Sequence, residues 1–156
     1  INGEFIMCTK AGKTDVADQA LRFVQQTSLN YLDLFNYAYE QGMTVLMEWC
    51  SRKQRIVLDY PEDMLVVTGI RHNVSGEYMA YDNIVSLCNS FGIPYVNALE
   101  ADINDIDEFM EFVNDQEDEE GYIVRWNDGH MVKMKNSWYC DIHHAMSGLL
   151  QEKNDW

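Results

Sequence analysis

The sequence predicts an α+β domain, because segments with helical periodicity are interspersed with short runs rich in Val, Ile and Leu that are joined by short turns. The chain has 156 residues, of which 47% are hydrophobic, and this is enough for one domain with a packed core. The sequence contains neither an internal repeat nor an apolar run near the ~20 residues of a membrane span. We therefore expect one domain over residues 1–156 of a soluble, cytoplasmic protein.

The first 42 residues predict one strand followed by two helices. Residues 3–9 have a strand-like composition and lead into a turn. The first helix is expected to begin near Thr14 or Asp15, either of which can cap it. Its apolar face comprises Val16, Ala20, Phe23 and Val24. A second helix is expected from Ser28, with Gly42 ending it. Its apolar face comprises Tyr31, Leu34, Phe35 and Ala38.

The remaining elements alternate between strands and helices. Three consecutive runs predict strands, which short connections make antiparallel neighbours: residues 44–49, 55–59 and 64–70. A helix over residues 81–90 ends at Gly92, and an amphipathic helix follows. Its apolar positions are Ile103, Ile106, Phe109, Met110 and Val113. Residues 121–126 and 131–135 predict a hairpin, since Asp-Gly lies between them, and residues 138–151 predict a last helix.

The formal net charge of -15 is unfavourable for a partner that carries phosphates. Eleven of the 26 acidic residues, however, lie between Asn97 and Glu120, a stretch without Lys or Arg. These charges are explained by the solvated face of the amphipathic helix, or by an acidic surface that binds another protein. The net charge therefore does not exclude a local anion site elsewhere.

The strand MVKMK suggests such a site. A period of two places Lys133 and Lys135 on one face and Val132 with Met134 on the other. Two ammonium groups at such a short separation repel each other unless an anion lies between them. Preorganised cations also stabilise negative charge that develops at phosphorus. The alternative is a solvated edge strand, where lysines discourage aggregation.

Two carboxylates could contribute to the same site. Glu120 precedes the first strand of the hairpin, so it could pair with the lysines or hold Mg²⁺; it could equally be the solvated end of a helix. Glu48 lies in an otherwise apolar strand, where a buried charge needs a partner. An internal salt bridge and a hydrogen bond to a ligand hydroxyl are both open.

Three segments in this order resemble the third, fourth and fifth motifs of the covalent nucleotidyltransferases, which are DNA ligases, RNA ligases and mRNA capping enzymes. They are LMEWCSRKQRIVLDYPED, EEGYIVRWNDGH and MVKMKNSWYCDIHH. Their surroundings most resemble the ATP-dependent RNA ligases of the phage T4 RNA ligase 1 type, which repair cut tRNA. The resemblance covers essentially the whole chain and implies the antiparallel-sheet nucleotidyltransferase (adenylation) domain of the ATP-grasp-like ligase fold.

The resemblance also implies roles for individual residues. Glu48 matches the carboxylate that contacts the adenosine ribose, and Glu120 matches the acidic residue associated with the divalent metal. Lys133 and Lys135 match the catalytic pair that contacts the ATP phosphates. Two nucleotide-binding residues complete the set: Lys10, near the phosphates, and Ile123, against the adenine ring. The alternatives for these two are a solvated turn lysine and an ordinary core residue.

In this family a lysine in a K-x-D-G motif accepts AMP from ATP, passes it to an RNA 5′-phosphate, and the 3′-hydroxyl then displaces it. The nearest match here, Lys13-Thr14-Asp15-Val16, lacks the glycine. The resemblance therefore implies a chain that begins after the motif, incomplete at the N-terminus and inactive alone. ATP, Mg²⁺ and RNA ends, nicked tRNA among them, are the expected ligands of a monomer. The alternative is a non-catalytic nucleotide- or RNA-binding module.

Overall fold

A computed structural model describes residues 5–50, 63–98, 106–115, 121–126, 131–135 and 137. They form helices and antiparallel strand pairs, which confirms the mixed α and β composition expected of an α+β chain. They fall into two compact units, one built from residues 5–50 and 63–97 and the other from the described residues that follow. Within these ranges, no helix has the length and apolar character to cross a bilayer. The predicted strand at residues 55–59 and the predicted last helix lie outside the described residues.

Helices α1 (Asp15–Gln26) and α2 (Tyr31–Glu40) open the first unit. The Thr14 side chain accepts a hydrogen bond from the Ala17 N–H at 3.3 Å, so the predicted capping of α1 is confirmed. The buried positions recur at helical spacing: Ala17, Ala20, Val24, Tyr31, Leu34 and Ala38. The apolar face of α1 is rotated slightly from the predicted one, since Val16 is only half-buried.

Strands β1 (Met43–Cys50) and β2 (Met64–His72) pair antiparallel. Alternate residues of β1 pack against the core: Met43, Val45, Met47 and Trp49. The register shifts between Leu46 and Met47, which leaves Thr68 as an extra residue in β2. This bulge changes the alternation of β2, so that Val67 and Ile70, three residues apart, both face the core.

Helix α3 (Tyr81–Phe91) ends at Gly92, whose φ of 68° is left-handed, as the sequence predicts. Its buried residues are Ile84 and Cys88. The chain then runs beside β2, where the Val67 N–H donates to the Pro94 carbonyl at 2.9 Å. The first unit is therefore a core enclosed by three helices and a bulged strand pair.

A strand is predicted at residues 3–9, but residues 5–9, the described part of this segment, do not form one. Residues 5–8 form no ladder with other described residues, and Thr9 makes only an isolated bridge to Gly12. The Phe5 ring nevertheless packs 5.6 Å from that of Phe35, and half-buried residues alternate with exposed ones. Residues 5–8 are apolar throughout, so their composition favours a strand, but a ladder also requires a partner strand.

Tyr31 connects α2 to β2 in the centre of this core. Its side chain is fully buried, and its hydroxyl donates to the Leu65 carbonyl oxygen at 2.6 Å. Burial raises the pKa of Tyr31 from 10.0 to about 12. The neutral hydroxyl is therefore the form that stabilises the fold.

We expect Tyr31→Phe to lower the free energy of unfolding by about 1–3 kcal/mol, because the buried carbonyl loses its donor. The pKa of Tyr31 is higher in the folded state than in the unfolded state. Ionisation of Tyr31 therefore leaves the free energy of unfolding unchanged below pH 10.0 and lowers it as the pH rises towards about 12. Urea unfolding of both proteins across this range measures the effect. An equal alkaline loss in the phenylalanine variant would contradict this assignment.

Cys8 and Cys88 are free thiols. Cys8 is exposed, whereas Cys88 is buried, and burial raises the pKa of the Cys88 thiol. A short pulse of N-ethylmaleimide should modify Cys8 at once. Cys88 should react on the order of 10³-fold more slowly, because it needs unfolding that costs about 5 kcal/mol or more. Peptide mass spectrometry reports both rates, and comparable labelling would contradict the burial of Cys88.

The second unit contains helix α4 (Ile106–Asn114) and strands β3 (Gly121–Arg125) and β4 (Met131–Lys135). The two strands pair antiparallel, so the predicted hairpin partners are confirmed, although the Asp-Gly turn lies outside the described residues. In α4, Val113 is fully buried and the rings of Phe109 and Phe112 stack 6.2 Å apart. The predicted amphipathic helix is thus present over its described part.

Candidate functional site

The register of β3 and β4 determines which residues share a surface. Gly121 lies opposite Lys135, and Ile123 lies opposite Lys133. Since side chains alternate along a strand, these four residues lie on one face of the hairpin. The pairs Tyr122–Met134 and Val124–Val132 lie on the other. The structure thus confirms that residues 131–135 form the strand on which the predicted placement of both lysines depends.

This shared face, which we call the lysine face, combines cationic and apolar groups. Both lysines are exposed, and so is 53% of the Ile123 side chain. From strand geometry, Lys133 and Lys135 are about 7 Å apart along β4, and the Cβ atoms of Ile123 and Lys133 are about 5 Å apart. An apolar platform beside two ammonium groups suits a ligand with a flat ring and phosphates.

Arg125 extends the lysine face and was missed by the sequence reasoning. It lies two residues after Ile123 and opposite Met131, so alternation places it on the same side as the lysines. Its side chain is half-buried. The alternation of side chains along β3, combined with the pairing of β3 with β4, would predict this third cation from the sequence.

The opposite face of the hairpin packs against α4. The Phe112 ring lies 5.8 Å from that of Tyr122, with an interplanar angle of 42°. Tyr122 pairs with Met134, and both are half-buried. This packing fixes the side from which the hairpin presents its cations.

Gly121 has a conformational role that the sequence reasoning also missed. Its φ is 145°, a value that side chains disfavour, and an added Cβ would lie 2.0 Å from the Met134 carbonyl oxygen and 2.7 Å from the Lys135 Cα. The glycine thus allows β3 to begin in close contact with the backbone that carries Lys135. A glycine at the first position of a strand is the available sequence signal.

Glu48 and Lys10 belong to the first unit. Glu48 lies opposite Val66, on the face of the β1–β2 pair that points away from the core, and it is exposed. Because Glu48 is exposed, its carboxylate keeps its contact with water. The desolvation cost that would require a buried partner therefore does not arise. Lys10 is exposed in the turn closed by hydrogen bonds of 2.8 and 2.9 Å between Thr9 and Gly12. Their convergence with the lysine face remains a prediction.

The predicted metal ligand, Glu120, lies outside the described residues. Among the residues that the structure does describe, no group of three or more His, Cys, Asp and Glu side chains is arranged to hold a metal ion. Carboxylate oxygen is the ligand type that Mg²⁺ prefers. Glu120 thus fits by chemistry, and its role remains a prediction.

Comparison with known proteins identifies the family of this chain. A protein of Thermovibrio ammonificans that is named as a candidate RNA ligase is 25% identical over 118 residues, which cover 70% of this chain. The chain spans only 29% of that relative's length. The family model of T4 RNA ligase 1, described as RNA ligase, matches residues 1–139 and thus includes all described elements. The chain therefore belongs to the T4 RNA ligase 1 family of RNA ligases.

Proposed function

We propose that this chain is part of the adenylation domain of an ATP-dependent RNA ligase, which joins RNA 5′-phosphate and 3′-hydroxyl ends. Membership of the RNA ligase family supports the general activity. The observation that carries the proposal is the lysine face, where exposed Ile123 lies directly opposite Lys133 and beside Lys135. A nucleotide presents the complementary groups, an apolar ring and a chain of phosphates.

The lysine face would act in the first step of ligation. A nucleophilic lysine attacks the α-phosphorus of ATP, the bond to the β-phosphate breaks, and pyrophosphate leaves. Negative charge grows on the transferred phosphate and on the leaving group during this step. Lys133 and Lys135 are proposed to stabilise that charge, while Ile123 lies against the adenine ring.

The later steps use the same phosphorus chemistry. An oxygen of the RNA 5′-phosphate attacks the lysyl-AMP, releasing the lysine and forming RNA-adenylate. The RNA 3′-hydroxyl then attacks the 5′-phosphate, and AMP leaves. Glu48 is proposed to contact the ribose, Lys10 to lie near the phosphates, and Glu120 to bind Mg²⁺ shared with a phosphate. RNA ends, nicked tRNA among them, are the proposed substrates of a monomeric ligase.

The test uses the full natural protein with Mg²⁺ and ATP labelled at either the α- or the γ-phosphate. We expect covalent label from α-labelled ATP alone, because pyrophosphate carries the γ-phosphate away. The label should be released by acid and should resist base, as a phosphorus–nitrogen bond does. EDTA should prevent it. Saturable ATP binding without covalent label would instead identify a non-catalytic binding module.

A further inference from the structure

We propose that Asn114, at the end of α4, is a positioning residue for Lys135. Its side-chain oxygen, Oδ1, accepts a hydrogen bond of 3.3 Å from the backbone N–H of Ser137. Ser137 follows Lys135, the last residue of β4, by two residues. The proposal rests on the proposed function and adds a residue to which the family resemblance gives no role.

The chain on both sides of Lys135 is connected to α4, before it through the strand partner Tyr122 and after it by a direct hydrogen bond. Before it, Met134 pairs with Tyr122, whose ring packs 5.8 Å from that of Phe112 on α4. After it, Ser137 is bound by Asn114, two residues along the same helix. A strand end held on both sides of a residue has less freedom to change direction than one held on a single side. Asn114 therefore fixes the direction of the backbone from which the Lys135 side chain projects.

The chemistry of Asn114 is suited to this role and to a specific test. Its amide oxygen is the accepting atom, so aspartate retains the acceptor and alanine removes it. The residue is exposed, and it occupies the last position of α4, so its truncation leaves no cavity. A loss of function in Asn114→Ala is thus separable from a loss of folding.

The test combines hydrogen exchange with single-turnover adenylation of the full natural protein. We expect Asn114→Ala to accelerate exchange of the Ser137 amide several-fold and to slow lysyl-AMP formation about tenfold. The amplitude of labelling, which reports the folded fraction, should not change. In Asn114→Asp, the rates of Ser137 amide exchange and of lysyl-AMP formation should stay close to those of wild type. Asn89→Ala, at an exposed asparagine in the last turn of α3, is the matched control and should behave as wild type.

The outcomes separate this proposal from the proposed function. If wild-type protein is labelled and Asn114→Ala is labelled at the same rate, the positioning role is overturned while the ligase assignment stands. A loss of amplitude at an unchanged rate constant also overturns it, because it identifies a purely structural residue. If wild-type protein forms no lysyl-AMP, the ligase assignment fails and the positioning role fails with it, whatever the exchange of Ser137.

Discussion

Replacing Lys133 and Lys135 together by alanine is expected to abolish lysyl-AMP formation while leaving the protein folded. Each lysine is exposed on the lysine face, so its truncation creates no cavity. Loss of one preorganised charge contact to a transition state typically costs about 2.7–4 kcal/mol, or about 10²- to 10³-fold in rate. Because the two residues face the same phosphates in our proposal, the double variant should fall below detection. Rapid-quench assays with α-labelled ATP measure the rate.

The single variants and a matched control sharpen this test. Arg22→Ala removes an exposed cation from α1, which has no part in the proposed site, and its rate should equal that of wild type. Lys133→Arg and Lys135→Arg keep the charge but change its geometry, so they should lie between wild type and alanine. Full labelling of the double alanine variant is incompatible with the assigned role. A double variant that loses its cooperative unfolding transition would indicate a structural role instead.

The lysine face is the part of the candidate site that the sequence predicts best. Alternation along MVKMK depends only on strand geometry, so both the side and the spacing of Lys133 and Lys135 follow from the sequence. The environment of Glu48 does not follow in the same way. Its neighbours on the outer face of β1 include Leu46 and Cys50, so the strand is apolar on both faces and resembles a buried one. Exposure is decided by what covers that face, which is a property of the tertiary structure.

Two further features depend on contacts between distant residues. The bulge at Thr68 is visible only once β1 and β2 are aligned, because it is a difference in residue count between two strands. The missing ladder at residues 5–8 has the same origin, since a strand-like composition does not supply a partner strand. Helix ends are predicted better than the bulge or the missing ladder. The caps of Thr14 and Gly92 involve only residues within one helical turn, so they can be recognised in the local sequence.

Gly121→Ala is expected to destabilise the hairpin of β3 and β4 strongly. The new Cβ would lie 2.0 Å from the Met134 carbonyl oxygen, which is backbone and cannot rotate away. The φ of 145° adds the strain that an L-residue experiences in this region. Together we expect a loss of about 3 kcal/mol or more, through separation of β3 from β4. Thermal unfolding and single-turnover adenylation measure the two consequences, and both should be severe.

Gly92→Ala distinguishes steric overlap from backbone strain. Gly92 also has a positive φ, 68°, but a Cβ there would meet no atom within 4 Å. That variant should lose only about 1–2 kcal/mol and should keep its adenylation rate constant, since only left-handed strain is added. If Gly121→Ala is no worse than Gly92→Ala, the close approach of β3 to Lys135 is not needed, and the lysine face must be held by other contacts. A larger loss at Gly121, with adenylation affected more than folding, would identify that approach as the contact that holds Lys135 against the transferred phosphate.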